Sequence, residues 1–141
     1  MKIVMMYRNH ISLFAGMLLL SGCAVFDNRP AEERVLDRAQ QHLAALRAGK
    51  FDEALKYTTP SFQESARGRR YRAMYSAAPT WRDAEVYAVE CEDGEKPEKC
   101  AVRTRIYPFI PPHIQANITG LPVSVSKDWI YTEGDWYRYE E

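Results

Sequence analysis

The residues of this 141-residue chain that are best suited to chemistry are three cysteines and three histidines. Cys91 and Cys100 are separated by a charged connection whose length matches neither a C-x-x-C redox pair nor paired zinc ligands. His42 lies within an apolar repeat of helical period and His113 in a proline-rich stretch, and the sequence pairs neither with a carboxylate. We therefore predict no catalytic residue, no metal site and no cofactor.

Cys23 lies in a different context, at the end of an apolar N-terminal segment. Lys2 and Arg8 precede an apolar run over residues 11–20, and none of the first 22 residues is acidic. The run is too short to span a bilayer, which takes about 20 helical residues, so it predicts a secretion signal. The alternatives are an uncleaved anchor or a buried apolar segment. The ending Leu20-Ser21-Gly22-Cys23 resembles the lipobox of bacterial lipoproteins.

This resemblance implies a cleaved signal peptide over residues 1–22 and a lipid on Cys23, followed by a lipidated tether over residues 23–30. An aspartate after the cysteine favours retention in the inner membrane, and this chain has Ala24 there. We therefore expect a lipid-anchored protein of the outer membrane that faces the periplasm. Each buried methylene of the lipid contributes roughly 0.8 kcal/mol, so several acyl chains make a durable anchor.

The remainder of the chain has the size of one domain, which we place at residues 31–141. Removal of residues 1–22, which hold two basic and no acidic residues, leaves 119 residues with a formal charge of −2. This charge balance, together with export, argues against nucleic acid as a partner.

The other two cysteines form an even pair in an oxidising compartment, which predicts a disulfide between Cys91 and Cys100. The flanking residues alternate as in two strands of an antiparallel hairpin. Pairing Cys91 with Cys100 places Val89 opposite Val102, and Tyr87 opposite Thr104.

Helical patterns fill the first third of the domain. Pro30 suits a first helical turn, apolar residues then recur at helical spacing, and Gly49 ends the run. A second helix is predicted over residues 52–57, and a third after Ser61, whose side chain we expect to cap it.

Strand patterns dominate the end of the chain, beyond a proline-rich stretch. A two-residue turn at Glu133-Gly134 would place Tyr131 opposite Trp136, and Trp129 opposite Arg138. These aromatic residues either fill a small core or line a ligand pocket. The residues that we single out as a candidate contact surface or pocket are Arg103, Arg105, Trp129, Tyr131, Trp136, Tyr137, Arg138 and Tyr139.

The order of these elements resembles the NTF2-like, or cystatin-like, α+β superfamily. The segment "GKFDEALKYTTPSFQES" and the final hairpin with Gly134-Asp135-Trp136 carry the resemblance. It implies N-terminal helices packed on a curved antiparallel sheet, which together form a cone with an internal cavity. Members that resemble steroid isomerases and dehydratases place an Asp or His base there. Another small α+β fold is the alternative.

Two groups of arginines each have more than one interpretation. Arg103 and Arg105 alternate with apolar residues and either face solvent or line the cone, in which case the ligand should be anionic. The cluster Arg67, Arg69, Arg70 and Arg72 either is a solvated segment or meets anionic lipid head groups or an acidic partner.

We expect a non-catalytic binding or assembly module of the cell envelope, with a periplasmic or outer-membrane protein as its partner. The alternative is a cone pocket that binds or converts a small molecule.

Overall fold

The computed structural model describes residues 27–115 and 121–141. The predicted signal peptide, Cys23 and its lipobox lie outside the described residues, so the lipid anchor stays a prediction. No helix in the two described ranges is long and apolar enough to cross a membrane.

The first helix, α1 (Ala31–Arg47), follows from the apolar repeat. Its buried face includes Val35, Ala39, Leu43 and Leu46, which recur every three or four residues. Pro30 precedes the helix as its N-cap. Gly49 lies in the connection to the next helix and has a φ of +70°, a backbone conformation that costs glycine little.

Short helices follow α1 and cover one end of it: α2 (Phe51–Leu55), α3 (Pro60–Glu64) and α4 (Tyr71–Met74). The predicted cap at Ser61 is wrong, because α3 begins one residue earlier, at Pro60, with Thr59 as its N-cap. Proline is well suited to this first position, since its missing N–H would have no helical partner there. The second helix is also shorter than the predicted residues 52–57.

The sheet is antiparallel and has the order β1-β2-β3-β4. The strands are β1 (Asp83–Cys91), β2 (Lys99–Tyr107), β3 (Val123–Thr132) and β4 (Asp135–Arg138). The proline-rich stretch before β3 holds only a short helix, α5 (Pro112–Gln115), among its described residues. Prolines cannot donate to a strand ladder, which is why β2 ends where they begin.

The hairpin of β1 and β2 carries the predicted disulfide. Cys91 is bonded to Cys100, and Val89 pairs with Val102, as expected. The expected pairing of Tyr87 with Thr104 is wrong, because a bulge at Tyr87 shifts the register and Val86 takes that place.

Two apolar clusters join the layers. One connects α1 to the sheet through Val35, Ala39, Val102, Trp129 and Trp136. The other connects the end of α1 to the short helices. The predicted fold class, α+β with N-terminal helices packed on a curved antiparallel sheet, is confirmed.

Candidate functional site

A partly open cavity of about 170 Å³ lies between α1 and the inner face of the sheet. Successive inward residues of β2 form one wall, and Trp129 of β3 and Leu43 of α1 contribute further apolar surface. The full lining is Ala39, His42, Leu43, Leu46, Tyr75, Trp81, Val102, Thr104, Ile106, Val125, Lys127, Trp129 and Arg138.

The polar groups of the cavity converge on one carboxylate, that of Glu140. Its side chain is 2% exposed and binds Arg138 Nη2 at 3.1 Å and Lys127 Nζ at 3.1 Å. The hydroxyl of Tyr75 donates to the same carboxylate at 3.0 Å. A buried charge is stable only when it is paired and hydrogen-bonded, and Glu140 has both kinds of partner.

His42 lies next to this network, on the buried face of α1. Its Nε2 is 2.6 Å from the hydroxyl of Tyr71 and 3.4 Å from Nη1 of Arg138. A guanidinium can only donate, so Nε2 acts as the acceptor and the ring proton resides on Nδ1. Burial, together with the charge of Arg138, lowers the pKa of His42 well below its usual value. His42 is therefore neutral at pH 7.

Burial also raises the pKa values of the two tyrosines that complete the network, Tyr71 and Tyr75. Both hydroxyls stay protonated and serve as donors, the first to His42 and the second to Glu140. The guanidinium of Arg138 lies 5.3 Å above the ring of Tyr75. The polar end of the cavity is thus a connected set of groups from α1, α4, β3 and β4.

The candidate contact-surface or pocket residues of the final hairpin lie in three environments: the cavity, the core and the surface. The expected pairs of Tyr131 with Trp136, and of Trp129 with Arg138, are present. Trp129 and Arg138 line the cavity, whereas Trp136 is buried in the core cluster. Tyr131 lies against Trp136 and is 40% exposed.

Tyr137 of β4 and Tyr139, which follows the strand, differ in how far their rings are exposed. The half-buried ring of Tyr137 lies 5.4 Å from the guanidinium of Arg38, which also lies over Tyr57. Tyr139 is 44% exposed. Of this pair, only Tyr139 offers a large free ring surface.

Arg103 and Arg105 lie on the outer face of the sheet, away from the cavity. Arg103 forms an ion pair with Glu90 at 3.1 Å, and Arg105 with Glu85 at 2.8 Å. Of the two alternatives for these arginines, the structure supports solvent exposure. The cluster Arg67, Arg69, Arg70 and Arg72 is exposed as well and lies outside the cavity lining.

Sequence reasoning missed Lys127, Glu140, Tyr71 and Tyr75. The first two could have been found, because Lys127 alternates with Val125 and Trp129 on β3, and Glu140 stands two residues after Arg138. The tyrosines could not, because only contacts between distant segments bring Tyr71 to His42 and Tyr75 to Glu140. Among the described residues, no group of three or more His, Cys, Asp or Glu side chains could hold a metal ion.

Comparisons with known proteins bear on the fold. No family model matches the chain, and no curated protein matches it. A SEC-C motif containing protein from Psychrobacter arcticus is similar in structure, with a TM-score of 0.56 and 15% sequence identity. The match covers 82% of this chain and 63% of that one. Identity this low indicates a shared fold alone.

Two further solved structures carry the NTF2-like name. One, from Campylobacter jejuni and provisionally named a transpeptidase, has a TM-score of 0.49 and 12% identity over 74% of this chain and 96% of that one. The other, from Streptomyces avermitilis and provisionally named a dehydratase, has a TM-score of 0.46 and 13% identity over 75% and 89%. These names belong to those two proteins, and they assign neither a family nor an activity to this chain.

Proposed function

We propose that this chain is a lipoprotein of the outer membrane, anchored through Cys23, whose cavity binds a small ligand with an apolar body and an anionic head. The observation that carries the proposal is the charge at the cavity's polar end. Lys127 and Arg138 share the single carboxylate of Glu140, and His42 is neutral. One positive charge is left over beside an apolar wall, and an anionic head group would compensate it.

The size of the cavity limits the body of the ligand. Its 170 Å³ is close to the about 150 Å³ of an engineered apolar cavity that holds benzene. Benzoate, a single ring with a carboxylate, is therefore a suitable probe. With ~9 non-hydrogen atoms and about 0.5 kcal/mol per atom, it should bind with a Kd on the order of 0.5 mM.

The hydrogen-bonding of the polar groups favours binding over catalysis. The two groups that could act as a general base are His42 and Glu140. The acceptor nitrogen of His42 faces Tyr71 and Arg138, and Glu140 accepts from three side chains. A general base must reach the proton that it removes, and both candidates are occupied by protein donors.

Calorimetric titration with benzoate tests the proposal. Lys127→Met removes the surplus charge and should weaken binding at least tenfold. Val125→Phe fills the cavity and should abolish binding. Val123→Phe is the matched control, because Val123 lies on the same strand, is 53% exposed and is outside the lining, so it should bind like the wild type.

Two results would contradict the proposal. One is that the wild type does not bind benzoate up to about 10 mM, twentyfold above the expected Kd. The other is that benzyl alcohol, the neutral analogue, binds as well as benzoate, which would remove the role of the charge. The anchor is tested separately, by mass spectrometry of the chain purified from membranes and of its Cys23→Ala variant.

A protein partner is the second candidate, and the exposed rings of Tyr131 and Tyr139 favour it. Exposed tyrosines are enriched in protein interfaces. A pull-down of the lipidated protein from gently solubilised envelopes, with Tyr131→Ser/Tyr139→Ser as the variant, tests this candidate. A partner that is retained by the wild type and lost with the variant would support it, and recovery of only a small molecule would contradict it.

A further inference from the structure

The arginine cluster of Arg67, Arg69, Arg70 and Arg72 lies outside the proposed binding site and has its own pattern. All four residues are exposed, and they stand within six consecutive positions on the 3₁₀ turn Gly68–Arg70 and the start of α4. Arg67 donates to the main-chain oxygen of Glu141. Among the described residues, no carboxylate side chain forms an ion pair with any of the four arginines. The remaining described arginines behave differently: Arg29, Arg34, Arg38, Arg47, Arg103, Arg105 and Arg138 all form ion pairs, and only Arg82 does not.

The segment that carries the cluster is held firmly against the domain. Gly68 is buried and so close to α3 that an added Cβ would lie 2.2 Å from the carbonyl oxygen of Phe62. Tyr71, between two of the arginines, is 1% exposed and bonded to His42. Nη1 of Arg69 donates to the carbonyl of Glu64 at 2.9 Å. The backbone is therefore fixed, and all four arginines are exposed, with the guanidinium of Arg72 5.5 Å from the centre of the Phe51 ring.

We propose that the arginine cluster is a membrane-docking site that binds anionic phospholipid head groups. Each basic residue near a negatively charged lipid surface adds attraction. Arg69, Arg70 and Arg72 place three charges without a carboxylate partner among the described residues in one short segment, which gives a strong local field. Without residues 1–22 the chain has a formal charge of −2, so this positive field is local and does not follow from its net charge.

The position of the cluster relative to the expected anchor allows this contact. Cys23 precedes the first described residue by four positions, which at about 3.5 Å per residue keeps the domain within ~15 Å of the lipid. The cluster lies beside the second half of α1, a helix of 17 residues and thus about 25 Å long. A lipid on Cys23 would therefore keep the cluster within about 40 Å of the membrane, close enough for the domain to turn it toward the lipid surface. The choice of a membrane as the partner rests on the proposed anchor, but not on the proposed cavity ligand.

Vesicle sedimentation of the unlipidated chain from Ala24 to Glu141 tests the site without the anchor. This chain retains every described helix and strand and both core clusters. The vesicles contain phosphatidylcholine, with or without about one third phosphatidylglycerol. The test variant is Arg70→Gln/Arg72→Gln. The matched control is Arg103→Gln/Arg105→Gln, which removes the same charge from the outer face of the sheet, and circular dichroism verifies that both fold.

We expect binding to the anionic vesicles only, about 30-fold weaker in the test variant, near wild type in the control, and lost at high salt. Absence of wild-type binding to anionic vesicles would overturn the proposal, as would an equal loss in both variants. Binding to polyglutamate but not to vesicles would also overturn it and would point to an acidic polypeptide instead. None of these results would change the benzoate titration, so the two proposals fail separately.

Discussion

Removal of the buried carboxylate at residue 140 should destabilise the fold strongly. Glu140→Gln keeps the shape of the side chain but leaves Arg138 without its negative partner, and the guanidinium side chain is only 9% exposed. Loss of one member of a buried ion pair costs about 3–5 kcal/mol, because the other charge stays desolvated. The glutamine oxygen can still accept from Tyr75, so we expect the lower end of that range, about 3 kcal/mol. A domain of this size has a total stability of roughly 5–15 kcal/mol.

The assay is urea unfolding at pH 7, monitored by fluorescence of the buried Trp129 and Trp136. Glu85→Gln is the matched control, since it removes an ion pair of 2.8 Å with Arg105 from the exposed outer face. Exposed pairs contribute about 0–1 kcal/mol, so the control should lose less than 1 kcal/mol. Equal losses in the two variants, or a loss below 1 kcal/mol for Glu140→Gln, would refute the account of the buried network.

Three further predictions concern single features of the fold. Because folding lowers the pKa of His42, the unfolded state binds the proton at a higher pH than the folded state does. The free energy of unfolding should therefore fall by up to about 1.4 kcal/mol per pH unit as the pH drops below 6.5. Urea unfolding of His42→Gln at several pH values should show a smaller slope. Cys91→Ala/Cys100→Ala should lower the free energy of unfolding by about 2–3 kcal/mol, from loop-closure entropy, and equal stability of the two chains would contradict this. Gly68→Ala should lower the melting temperature by several degrees, because the added methyl group would lie 2.2 Å from the carbonyl oxygen of Phe62, and an unchanged melting temperature would contradict this.

Local patterns of the sequence predicted most of the fold. The helical repeat of α1, the disulfide and the turn at Glu133-Gly134 each depend on residues close in the chain, and all three are present. The bulge at Tyr87 was missed, although alternation in β1 breaks there: Val86, Tyr87, Ala88 and Val89 are four consecutive apolar residues, and both Val86 and Val89 pack against the core.

The candidate site was predicted only in part, for the same physical reason. Trp129 and Arg138 were identified on one face of the final hairpin, and both line the cavity. The network that gives the cavity its charge depends on contacts between distant segments: Tyr75 and Glu140 are 65 positions apart, and His42 and Arg138 are 96 apart. No periodicity in the sequence reports such contacts.

The most direct test of the central claim is a nuclear magnetic resonance titration of the ¹⁵N-labelled protein with benzoate. The account predicts saturable shifts at Val102, Thr104, Val125 and the indole of Trp129, which line the cavity, and no change at Glu85 and Glu90 on the outer face. Shifts confined to the outer face or to the arginine cluster, or the absence of saturable shifts at the cavity residues, would contradict it.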